Sequence, residues 1–137
     1  MAGMSPTQRD AFLSQARIAT LTTLNADGSP TAVPVWFEWD GKEATVFTSA
    51  ASPKIRRIRR DNRVSLTVAE PVGVKEAWVT IEGTAAIEPK GGIELARRLA
   101  PRYYTPERVA EVMPGWERDA ANWALIRITP TRIRSSS

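Results

Sequence analysis

The feature that most constrains this chain is a run of short β-branched segments broken by tight-turn residues within its first fifty positions. Residues 17–24 (R-I-A-T-L-T-T-L) read as a strand, Asn25-Ala26-Asp27-Gly28 as a turn, and residues 30–39 as a second strand. Val33, Val35, Phe37 and Trp39 then share one face of that strand. Asp40-Gly41 is a hairpin signal leading into a third strand over 43–49. Such short connections force antiparallel pairing. Further strands are expected at 63–69, 77–87 and 122–134, with a loop over 71–76. Helices are expected at 5–15, burying Ala11, Phe12 and Leu13, at 91–100, and from Thr105-Pro106 to Met113; 114–121 reads as irregular. Six antiparallel strands with peripheral helices avoid open edges by curling into a small barrel, so the expected fold is mainly β. At 137 residues one domain is expected over 1–137, with a tail at 135–137 that has nothing to pack. Pro34 sits mid-strand and cannot donate to a ladder. It marks an edge, a bulge, or a place where a ligand approaches the backbone.

The basic residues are concentrated. Lys54, Arg56, Arg57, Arg59, Arg60 and Arg63 lie within ten positions, opposed only by Asp61, so this stretch carries +5 while the whole chain carries +4. The remainder is therefore nearly neutral, which suits a defined anion better than a diffuse polyanion and argues against a nucleic-acid interface. Ser52 reads as a helix cap, Pro53 as the first helical position and Lys54 as part of the first turn, where free N–H groups and a cation together favour phosphate. On the helical wheel Ile55 and Ile58 share the inner side, Lys54 and Arg59 flank it, and Arg56, Arg57 and Arg60 point away. A plain solvated basic helix is the competing reading.

Composition excludes several chemistries. The chain has no cysteine and no histidine. Disulfides, thiol catalysis, histidine-dependent triads, and zinc or haem sites built on those ligands are ruled out, and no metal site is expected. A depleted catalytic set fits an organic cofactor that brings its own reactivity. No signal-peptide pattern or apolar run of membrane length is present, so a cytoplasmic protein without membrane partners is expected. Five tryptophans leave some available for a site. Trp36 is a candidate to wall a planar ring, and Trp78, Trp116 and Trp123 to line a pocket. Tyr103 and Tyr104 are expected in a loop, with neither singled out as a proton donor.

Four motifs in order, D-G-S-P at 27–30, P-V-W-F at 34–37, the basic segment at 48–66 and V-T-I-E-G-T-A at 79–85, resemble the split β-barrel flavin and deazaflavin oxidoreductases related to pyridoxamine 5′-phosphate oxidase. P-V-W-F and K-x-R-x-x-R-R-D look most like the members that use coenzyme F420. The resemblance implies a homodimer of six-stranded split barrels with cofactor at the subunit interface. It implies cofactor phosphate at Lys54, contacts from Thr48 and Ser49, and a ring beside Pro34, Val35 and Trp36. Arg56 and Arg59 are second candidates for the anion, Arg57 and Arg60 are expected toward solvent or a polyglutamate tail, and Trp78 belongs to the candidate cofactor set. Some relatives carry arginine where this chain has Ser52, which removes one phosphate contact but leaves a hydroxyl. Gly83 is expected to permit a bulge or close approach. The implied activity is hydride transfer between reduced deazaflavin and a planar conjugated small-molecule acceptor. FMN in the same fold, acting as an oxidoreductase or flavin reductase, and a non-catalytic F420 or FMN carrier are the alternatives.

Overall fold

The computed structural model describes residues 3–137. Its elements in chain order are α1 (Pro6–Leu13), β1 (Ala19–Leu24), β2 (Pro30–Val35), β3 (Glu38–Trp39), β4 (Ala44–Ser49), α2 (Pro53–Arg60), β5 (Arg63–Ala69), β6 (Trp78–Glu88), α3 (Gly92–Tyr103), α4 (Pro106–Arg118), a 3₁₀ turn (Ala120–Asn122) and β7 (Trp123–Ser135). All strand pairings are antiparallel, in the order β2-β1-β5-β6-β7-β4-β3. No helix among the described residues is long and apolar enough to cross a membrane.

Seven strands replace the expected six, because the segment 30–39 divides at Trp36-Phe37. β2 pairs only with β1, and β3 only with β4, so the two halves of one sequence segment lie at opposite ends of the sheet order. Three Cα steps separate Val35 from Glu38, a reach of at most about 11 Å. The sheet must therefore curl until its two ladder edges nearly meet, and the covalent chain closes the seam that hydrogen bonds leave open. Both edges are protected: β2 carries Pro30 and Pro34, and β3 is two residues long. Side-chain alternation still crosses the seam. Phe37 and Trp39 are buried, and Val33 and Val35 half-buried, on the inner face. There Val35, Phe37 and Trp39 join Leu21, Val46, Leu66, Val68, Val79, Ile81, Ile126 and Ile128.

Local chemistry explains the helices and the departures from expectation. Ser5 and Gln8 form a reciprocal capping box that starts α1. The helix ends at Leu13, and Ala11 is exposed; Phe12 and Leu13 alone are buried. α3 continues through Pro101 to Tyr103, so Tyr103 is helical. α4 continues through Pro114 to Arg118. A mid-helix proline removes a hydrogen bond, but Trp116 packs two residues later against other aromatics, and Arg97 Nε and Nη2 grip both oxygens of Glu117 at 2.6 Å. Ser135 pairs with Val79, and the Ser136 amide donates to the Trp78 carbonyl at 3.0 Å, so the expected loose tail is tied to β6.

A register irregularity falls between Glu82 and Gly83 on β6, facing β7. A Cβ at Gly83 would collide with the Thr129 carbonyl oxygen. That neighbour is backbone and cannot swing aside. Gly83→Ala is expected to lower stability by about 1–3 kcal/mol, measured as a shift in the urea midpoint without loss of cooperativity.

A candidate anion and aromatic site

β4 ends at Thr48 and Ser49, opposite Ala124 and Trp123 of β7. The chain turns at once: the Ser52 amide donates to the Ser49 carbonyl at 2.9 Å, and the Ala50 amide donates to Asn122 at 2.8 Å. Ser52 then caps α2, with Pro53 opening the helix. Ile55 and Ile58 are buried and press α2 onto the barrel. Lys54 is thereby held half-buried at the first turn. Its Nζ donates to Thr48 Oγ1 and to Ser52 Oγ, each at 3.0 Å. An ammonium has three protons to donate, so one remains.

No acid among the described residues pairs with Lys54. Burial, and secondarily the charge of Arg57, pull its pKa below the ordinary lysine value. Arg57 is the residue that the wheel misplaced. It is half-buried, and its Nε donates to Thr23 Oγ1 at 2.7 Å, with Thr23 only 1% exposed. The signal for it was its i, i+3 spacing from Lys54, which puts both on one side of α2. Arg56 and Arg59, the second candidates, are exposed, as is Arg60. Neither cation pairs with a carboxylate among the described residues, and their mutual repulsion would be relieved by an anion held between them.

Lys54 opens into a pocket of about 280 Å³, lined also by Pro34, Val35, Trp36, Phe47, Tyr104 and Trp116. The structure thus brings Lys54, Ser52, Thr48, Pro34, Val35 and Trp36 together. Ser49 is exposed and faces a neighbouring hollow with Asn122 and Trp123. Trp78 is not part of this group in one chain. It precedes Val79, which pairs with Ser135 at the far end of β7 from Trp123. The aromatic wall is continuous. Trp36 stacks on Tyr103 (4.7 Å between centroids, 10° between planes) and meets Tyr104 edge-on at 4.6 Å. Phe47, Trp116 and Trp123 extend the wall, at 5.5–5.7 Å from one another. Trp39 plays no part: it is buried in the barrel and its Nε1 donates to Asp10 at 2.8 Å.

The donor set suits a molecule with an anionic arm and a flat ring. Lys54 lies at the helix start with Arg57 one turn on, and the apolar, π-rich surface begins at β2. Known proteins point the same way. A protein from Mycobacterium tuberculosis (strain CDC 1551 / Oshkosh), named F420H(2)-dependent biliverdin reductase, is 38% identical over 102 residues, covering 70% of each chain. The solved structure of a conserved hypothetical protein from Mycobacterium tuberculosis superposes with a TM-score of 0.77 at 30% identity, covering 98% of this chain and 85% of that one. A structure described as an F420 reductase shares the fold, with a TM-score of 0.73 at 22% identity over 91% of this chain and 94% of its own. The sequence pattern of the pyridoxamine 5′-phosphate oxidase family spans residues 5–137, and the chain belongs to that family.

Proposed function

We propose that this chain is a cytoplasmic oxidoreductase that uses coenzyme F420 to reduce a planar conjugated acceptor. The observation that carries the reading is Lys54: a half-buried cation without a carboxylate, oriented by two hydroxyls, at the mouth of an aromatic pocket. Lys54 and Arg57 would hold the phosphate of the cofactor, with the Ser52 hydroxyl as a further contact. Pro34, Val35 and Trp36 would flank its ring. When bound, reduced F420 supplies a hydride to an electron-poor acceptor. The residues of this chain do the rest. Thr48 and Ser52 aim the ammonium, and the wall of Trp36, Phe47 and Trp116 excludes water and offers π surface to a flat acceptor. The relative named as an F420H(2)-dependent biliverdin reductase supports both cofactor and reaction class.

The pocket of one chain, at about 280 Å³, is at the lower limit for a small-molecule site. We therefore include a homodimer in the proposal, with a second copy completing the site. Exposed Val72, Val74 and Trp78 supply apolar surface for that contact.

Side-by-side equilibrium titration with F420 and FMN, followed by turnover with reduced F420 and biliverdin, tests the reading. Tighter F420 binding with turnover supports it. Preferential FMN binding replaces the cofactor, and F420 binding without turnover of biliverdin or a quinone makes the protein a carrier. Because an anion needs the protonated lysine, F420 affinity is expected to fall as pH rises through the lowered pKa of Lys54. Binding curves across the alkaline range check this; a flat profile up to the ordinary lysine value would place the anion elsewhere.

A further inference from the structure

Hydride addition to a conjugated acceptor moves an electron pair to the far atom of the π system, and that atom must take a proton. The chain has no histidine or cysteine, and no carboxylate lines the Lys54 pocket. Its titratable side chains are Lys54, engaged with Thr48 and Ser52, and Tyr104.

The two tyrosines of the chain are adjacent but differently committed. The Tyr103 hydroxyl donates to the Arg17 carbonyl at 2.8 Å, and burial foremost pushes its pKa up. The Tyr104 hydroxyl donates to no atom among the described residues. The Tyr104 ring is fixed edge-on to Trp36 at 4.6 Å, and the Arg108 guanidinium lies 5.3 Å from its centroid. Arg108 is paired with Glu111 at 3.0 Å, and Glu111 first, then Tyr104, keep that guanidinium protonated. An arginine donates but cannot accept, so it leaves the phenol proton available. Arg108 of α4, itself paired with Glu111, lies over the Tyr104 ring, and Lys54 of α2 lines the same pocket.

We propose that Tyr104 is the proton donor of the reductase. Hydride and its electron pair bond to the electron-poor atom of the acceptor. The displaced π pair takes the proton from Tyr104 Oη, leaving a phenolate beside Arg108 that recovers a proton from water. This assignment rests on the F420 reductase reading above.

The test compares the parent with Tyr104→Phe and Tyr103→Phe. Three quantities are measured: equilibrium F420 binding, turnover of biliverdin and of menadione against pH, and tyrosinate absorbance against pH. Tyr104→Phe is expected to bind F420 as the parent does and to lose about 100-fold or more in kcat. With F420 saturating, the tyrosinate step missing from that variant should share its midpoint with the alkaline fall of kcat in the parent, and Tyr103→Phe should retain both. With F420 saturating, turnover of Tyr104→Phe within about twofold of the parent, or an unchanged alkaline limb of kcat, overturns the tyrosine role alone. A parent that does not bind F420, or binds it and reduces neither probe, overturns the reductase reading and the tyrosine role together.

Discussion

Lys54→Ala is expected to weaken F420 binding by about 2–5 kcal/mol, roughly thirtyfold or more, while leaving the fold intact. The two halves of this expectation have one cause. The lysine is held among hydroxyls, apolar walls and a neighbouring arginine, and its charged form is disfavoured there, by burial first and Arg57 second. The folded chain without ligand therefore gains little from that charge, and its removal should leave the melting temperature unchanged or slightly raised. The ligand gains most, because a phosphate would meet a cation with no internal competitor. Lys54→Arg should fall between, since a planar fork cannot reproduce the two hydroxyl contacts of a compact ammonium. Calorimetric binding and thermal unfolding of the same samples separate these effects. Parent-like affinity in Lys54→Ala would move the anionic arm away from α2.

Phe37→Ala should have the largest effect on stability, about 3–5 kcal/mol. Phe37 is 2% exposed and belongs to the two-residue link that closes the barrel where no ladder does. A small domain has only about 5–15 kcal/mol in reserve, so a large part of the native margin would go. The same change should also degrade the pocket, because Trp36 is the adjacent residue and lines it. Urea denaturation gives the first quantity and F420 titration at low temperature the second. A loss below about 1 kcal/mol would show that the seam is held by neighbours rather than by this side chain.

Much of the fold was legible because strand chemistry is local. β1, β4, β5 and β6 fall within two residues of where β-branched runs and turn residues put them, and Gly41, at φ +96°, occupies the tight turn that Asp40-Gly41 signalled. The division of β2 from β3 was not legible. The inward positions Val33, Val35, Phe37 and Trp39 keep strict alternation through the break. Only the curl of the whole sheet, a property of distant strands, parts them. α4 was cut short at Pro114 because local propensity says so; a remote arginine and an aromatic cluster override it. At the site, the cap grammar of Ser52-Pro53-Lys54 was readable, and the structure places Thr48, Pro34, Val35 and Trp36 around it. Arg57 was misread because the wheel sets it outward from Ile55 and Ile58, whereas its i, i+3 spacing from Lys54 and its long guanidinium carry it to Thr23. Tyr104 could not be distinguished from Tyr103 by sequence, since the difference lies in what each hydroxyl touches.

β6 and β7 pair directly with each other along most of their length, although residues 89–122 intervene between them. The two strands would form an ordinary hairpin if that excursion were replaced by a short turn. α4 contributes no fully buried residue, yet it brings Trp116 to the pocket. α3 anchors that excursion through buried Leu95 and Leu99, so changes confined to α4 can reshape the aromatic wall without disturbing the ladder between β6 and β7.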